Sequence, residues 1–149
     1  MVKVSVYIAT SLDGFIADSS GGLDWLELPN LEQTDYGYAE FISRIDALLI
    51  GHKTFEQVLT FDAWPYDKPV FVLSRNLTAL PDEVIGKAEL VSGEPAAILE
   101  KLAEKGHNSL YIDGGRAVQS FLHEDLVDEL IVSRIPVPLG GGVPLFGKL

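Results

Sequence analysis

What most restricts this chain is a pattern that recurs along it: an apolar run of strand length breaks, without a linker, into a small polar turn that opens a helix. Leu48-Leu49-Ile50 leads into Gly51-His52-Lys53-Thr54, Val70-Phe71-Val72-Leu73 into Ser74-Arg75-Asn76, and Leu110-Tyr111-Ile112 into Asp113-Gly114-Gly115-Arg116. Strands alternating with helices over most of the chain predict a mainly parallel sheet covered on both faces. Ligands of such sheets bind at the carboxyl ends of the strands. A helix start adds unpaired N–H groups and a positive dipole end, and glycine lets an anion approach the backbone. Turns of this kind along one sheet edge would make a nucleotide site.

With 149 residues, 47% of them hydrophobic, the chain can bury a core as one domain. Val2 to Ala9 is too short and too alternating for a signal-peptide core, and no apolar run approaches the roughly 20 residues of a membrane helix. The expectation is a soluble, cytoplasmic protein. Without cysteine there is no disulfide and no thiolate chemistry, so redox work would need a cofactor. The net charge of −11 argues against a nucleic-acid partner, because phosphate-backbone affinity comes from clustered Lys and Arg. It leaves room for a phosphorylated small molecule wherever Lys53, Arg75 and Arg116 converge.

Val2 to Ala9 reads as a first strand, at least half buried. Between Thr10 and Asn30, glycines, Pro29 and the apolar Phe15, Ile16, Trp25 and Leu26 read as a long, ordered, functional loop. Tyr38, Phe41, Ile42 and Ile45 have the spacing of a one-faced helix. Thr54 to Leu59 reads as a short helix. A further helix begins at Pro95, buries Ile98, Leu99 and Leu102, and stops at Gly106. Val118, Phe121 and Leu122 mark another, Leu130 to Ile135 a last strand, and Gly140-Gly141-Gly142 a turn or bulge.

Individually the motifs admit two readings. Gly114-Gly115 serves either a ligand or close strand–helix packing, and Ser74-Arg75 either a phosphate monoester or a surface turn. Gly51-His52-Lys53-Thr54 lacks the glycine-spaced approach of a P-loop, which disfavours an ATPase. Asp13 either binds substrate or shapes its turn. Trp25 is either a wall for a flat heterocycle or a core anchor. His52, His107 and His123 have no metal-ligand spacing, so no metal is expected.

Taken in order, Ser11-Leu12-Asp13-Gly14-Phe15-Ile16-Ala17, Gly51-His52-Lys53-Thr54-Phe55-Glu56, Val72-Leu73-Ser74-Arg75, Ile112-Asp113-Gly114-Gly115 and Leu126-Val127-Asp128-Glu129-Leu130 resemble the dihydrofolate-reductase-like superfamily. Within it, the whole chain is most similar to the RibD C-terminal reductase domain of riboflavin biosynthesis and its stand-alone bacterial relatives. The resemblance implies a three-layer αβα fold with a mainly parallel central sheet and antiparallel C-terminal strands. It also implies a homodimer and NADPH-dependent reduction of a nitrogen heterocycle, of the 5-amino-6-(5-phosphoribosylamino)uracil reductase type. A dihydrofolate reductase and a non-catalytic nucleotide-binding module are the alternatives.

Carried over residue by residue, the resemblance puts Ala9, Gly14, Ile16 and Ala17 beside the nicotinamide. Gly51, His52, Lys53 and Thr54 would meet the adenosine half and pyrophosphate. Leu73, Ser74 and Arg75 would take the 2′-phosphate, and Ile112, Gly114, Gly115, Arg116 and Ala117 the pyrophosphate at a helix start. Asp35 corresponds to the substrate carboxylate of dihydrofolate reductases, or is a helix N-terminal acid favoured by the dipole. Two features depart from the pattern. His52 stands where relatives usually carry Arg, and relatives usually continue beyond the Gly-Gly-Gly-Val-Pro-Leu-Phe segment into further strands.

Overall fold

The computed structural model describes residues 2–20 and 37–146. Trp25 and Asp35 lie outside them. Six parallel strands form the central sheet: β1 (Lys3–Thr10), β3 (Ala47–Gly51), β4 (Val70–Leu73), β5 (Ala88–Val91), β6 (Ser109–Asp113) and β7 (Glu129–Arg134), in the spatial order β5-β4-β3-β6-β1-β7. β2 (Phe15–Ala17) and β8 (Val143–Pro144) pair antiparallel in a separate two-stranded sheet. The chain therefore has the mainly parallel αβα architecture expected, with its antiparallel C-terminal strand outside the central sheet.

Among the described residues, four α-helices cover the sheet: α1 (Tyr38–Ser43), α2 (His52–Leu59), α3 (Pro95–Glu104) and α4 (Gly115–His123). Phe41 of α1 and Phe55 of α2 pack on one face with Leu48, Ile50, Val70 and Val72. Ile98 and Leu102 of α3, with Val118 and Phe121 of α4, pack on the other with Val4, Leu49, Leu110 and Ile112. Each fully buried side chain of this size contributes roughly 1.5–3 kcal/mol. Right-handed crossovers explain the division. The β1-to-β3 and β3-to-β4 connections move one way across the sheet and carry α1 and α2, whereas β5-to-β6 and β6-to-β7 move the other way and carry α3 and α4.

Two expectations need correction, and one element went unread. The turn after β4 opens no α-helix; it leads through an irregular segment to a 3-10 turn at Asp82–Val84. Pro81 drives Leu80 away from helical geometry, and the Ser74 hydroxyl has already closed the turn by accepting from Asn76 N at 3.2 Å and Leu77 N at 3.1 Å. The stretch read as a long loop contains β2. And β5 escaped notice because only one residue of this edge strand, Val91, is buried.

Candidate functional site

Because all six strands are parallel, the turns after β4, β3 and β6 leave from neighbouring strands at one edge of the sheet. The β3 connection runs toward β4 under one face, while the β6 connection runs toward β7 over the other, so the chain diverges between β3 and β6. This is the topological switch point at which parallel sheets open a crevice.

Packing there is tight. Gly114, with φ of 106° before α4, has a backbone conformation that L side chains rarely adopt. A Cβ on it would lie 2.8 Å from Thr54 Oγ1 and 3.2 Å from Gly51 N, so the β3 and β6 turns touch through glycine backbone. A Cβ on Gly115 would lie 2.8 Å from Ile16 Cδ1 and 3.4 Å from Val143 Cγ1, which shows β2 and β8 closing over the start of α4. Ile16 and Ala17 are accordingly buried, whereas Gly14 is exposed in the turn before them.

Neither α2 nor α4 has a capping side chain, so the first N–H groups of both helices stay open toward the crevice. Among the described residues, Lys53, Arg75 and Arg116 are exposed and make no ion pair. Of the cations near the opposite ends of the strands, Lys3, Arg44 and Lys105 pair with Glu129, Glu40 or Glu89, whereas Lys87 is likewise outside any ion pair. In a chain of net charge −11, uncompensated cations thus accompany open helix starts at one edge. That combination suits a phosphorylated ligand.

Two anticipated ligand residues are engaged by protein. The Asp13 carboxylate accepts from Ser11 Oγ at 2.5 Å, Leu139 N at 3.1 Å and Gly140 N at 2.7 Å. These bonds, the Ser11 hydroxyl foremost, lower its pKa to about 2, and it ties the β1–β2 turn to the glycine-rich segment before β8. Ser74 is buried, its oxygen filled by the turn and its hydroxyl 3.4 Å from His52 Nδ1. His52 Nε2 in turn lies 2.7 Å from Glu56 Oε1.

Sequence reasoning passed over Asp113. Alternation along β6 puts it on the face of Tyr111, where Tyr7, Tyr38, Phe41 and Tyr111 form an aromatic chain with ring centroids 5.1–5.3 Å apart. Trp64 and Tyr66, at 5.4 Å, continue the wall. Asp113 is partly open at the residue level, yet its carboxyl lies deep among protein atoms, and burial pushes its pKa up against an opposing bond from the Gly114 backbone. Tyr38, Tyr66 and Tyr111 are raised as well, by burial first and then by the Asp113 charge. The available signal was a carboxylate ending a strand otherwise made to be buried. Ala9, half-buried near the end of β1, completes this side of the edge.

Residues 2–149 match the RibD C-terminal domain model. The chain belongs to the RibD C-terminal domain family. Another protein similar to this RibD C-terminal domain is YwjB of Bacillus subtilis (strain 168), an uncharacterised protein, at 37% identity over 99% of this chain and 84% of YwjB. A crystal structure from Shewanella sp. PV-4, of a protein provisionally named for riboflavin biosynthesis, superposes with a TM-score of 0.92 at 51% identity, covering 99% of this chain and 85% of that one. The Thermotoga maritima diaminohydroxyphosphoribosylaminopyrimidine deaminase/5-amino-6-(5-phosphoribosylamino)uracil reductase gives a TM-score of 0.76 at 19% identity, a likeness of fold. This RibD C-terminal domain covers 49% of the Thermotoga chain.

Proposed function

We propose that the protein is an NADPH-dependent reductase of a nitrogen heterocycle, of the 5-amino-6-(5-phosphoribosylamino)uracil reductase type. The observation that carries this reading is the alignment of the β4, β3 and β6 turns on neighbouring strands at the switch point, with open helix starts and unpaired Lys53, Arg75 and Arg116. The donor set fits a dinucleotide: backbone N–H groups from Gly115 onward for a pyrophosphate, and Arg75 for a phosphate on the adenosine ribose. Bound there, the dinucleotide supplies the hydride.

The chain's own residues then have three tasks. Gly114 and Gly115 keep backbone at the closest approach, where a side chain would collide with Thr54 or Ile16. β2 and β8, closed over α4, shield that region from water. On the α1 and α2 face, Tyr7, Tyr38 and Tyr66 with Trp64 offer flat apolar walls to a heterocycle, and burial makes the Asp113 carboxyl hold its proton more tightly than an ordinary aspartate. A carboxylic acid raised by burial remains a donor at higher pH than an ordinary aspartate, which suits protonation of an atom that gains electrons.

The test is a titration of NADPH into the protein, followed by tryptophan fluorescence and then by NADPH oxidation with the phosphoribosylated aminouracil and with dihydrofolate. Saturable binding with turnover of the aminouracil is expected. Turnover of dihydrofolate alone would replace the substrate reading, binding without turnover of either would leave a nucleotide-binding module, and no binding would contradict the cofactor.

A further inference from the structure

The heterocycle side of the crevice differs in charge from the dinucleotide edge. Its walls come from three stretches: Tyr7 and Tyr38 from β1 and α1, Tyr66 and Asp67 from the segment before β4, and Asp113 from the end of β6. Residues 4–43, which supply the first two, contain no Lys, Arg or His and seven Asp or Glu. The cations bordering this face are already engaged. The Lys68 ammonium donates to Ile42 O at 2.7 Å and to Ile45 O, and Arg44 pairs with Glu40 at 3.0 Å and Glu129 at 3.3 Å. Arg134 ends β7 on the opposite face of the sheet, in step with Leu130, which packs on the α3 and α4 core. Lys53, Arg75 and Arg116 belong to the dinucleotide edge, where the cofactor's own phosphates match them. The field inside the crevice has the same sign. Burial first, and then the negative charge of neighbours, raises Tyr38 and Tyr66; Asp113 acts on both and Asp67 on Tyr38. Among the described residues no cation offsets these effects, and at Asp113 only a bond from the Gly114 backbone opposes burial.

We infer that the heterocycle this site takes best carries no phosphate and no other negative charge, so that 5-amino-6-(5-phosphoribosylamino)uracil is a poorer substrate than the same compound without its phosphate. The inference rests on the reductase reading above and narrows its substrate class to neutral or cationic rings. A phosphate leaving water needs charged donors to replace its hydration. Beside these walls it meets the acidic groups of Asp67 and Asp113 instead, and like charges brought together in a partly dry crevice discriminate against a ligand. A neutral ring meets no such opposition, and its N–H groups find carboxyl and phenol oxygens as acceptors.

Steady-state reduction of the phosphorylated aminouracil and of its unphosphorylated form, both at saturating NADPH, tests the inference. The unphosphorylated compound is expected to show a kcat/KM about tenfold higher, expressed mainly in KM. Raising the salt from about 0.05 M to about 0.5 M is expected to increase kcat/KM for the phosphorylated compound alone, because screening weakens a repulsion. Asp67→Lys is expected to narrow the ratio between the two compounds several-fold. If the phosphorylated compound has an equal or higher kcat/KM, or if its kcat/KM falls with salt, the inference is overturned and the reductase reading stands. If neither compound is reduced, the aminouracil reading falls and the inference with it.

Discussion

At the scale of single residues, Gly114 and Asp113 stand next to each other and do opposite things. Gly114 is defined by what it lacks. Replacing it with Ala puts a Cβ against Thr54 Oγ1 and Gly51 N in a backbone region unfavourable to L residues. Gly114→Ala is expected to lose about 1–3 kcal/mol of stability in chemical denaturation, together with dinucleotide affinity. Asp113 is defined by its raised affinity for a proton. A carboxyl raised above its ordinary 3.8 by burial binds protons more tightly folded than unfolded, so its contribution to stability declines as pH rises from about that value through the raised one. Asp113→Asn is therefore expected to keep or gain stability at neutral pH while turnover falls by about 10²–10⁴-fold. It should also remove the loss of rate that the wild type shows as Asp113 deprotonates. A parallel loss of stability and activity would make Asp113 a structural residue. Of this pair the sequence showed the glycine, but left open whether it serves a ligand or close strand–helix packing. The acid was hidden because its meaning depends on tyrosines at positions 7, 38, 66 and 111.

At the scale of elements, short segments close the site, and polar contacts at their ends hold them. α1 spans Tyr38–Ser43, too short to persist alone, and starts at Gly37 without a capping side chain. Its end is fastened by the Lys68 ammonium, which donates to Ile42 O at 2.7 Å and to Ile45 O. Lys68→Met is expected to cost about 1–2 kcal/mol in denaturation and to weaken heterocycle binding more than dinucleotide binding. β2 and β8 are held together in part through Asp13. Its depressed pKa contributes stability that is complete above the ordinary 3.8 and is lost as pH falls through about 2. Acid unfolding should show this loss in the wild type and not in Asp13→Asn, and hydrogen exchange at residues 139–142 should be faster in the variant. The long strands and α3 were legible because their apolar runs and periodicities are strong. β2, β5 and β8 were not, because two or three residues carry no period and β5 buries only Val91.

At the scale of the whole molecule, the decisive fact is one of order. Each of the strand-to-turn junctions was visible in the sequence, but their adjacency was not, since it arises from crossovers that bring β6 between β3 and β1. The same crossovers put Lys53, Arg75 and Arg116 at one edge, so a net charge of −11, which argues against polyanions, coexists with cations gathered beside open helix starts. Among the described residues, no helix is long and apolar enough to cross a membrane. The central claim is that a dinucleotide lies across the β4, β3 and β6 turns. Hydrogen exchange of the protein with and without NADPH tests it most directly. Slowed exchange at residues 51–54, 74–77 and 114–117, with none at residues 107–109 on the opposite edge, is the predicted result; protection absent from those turns while NADPH is bound would contradict it.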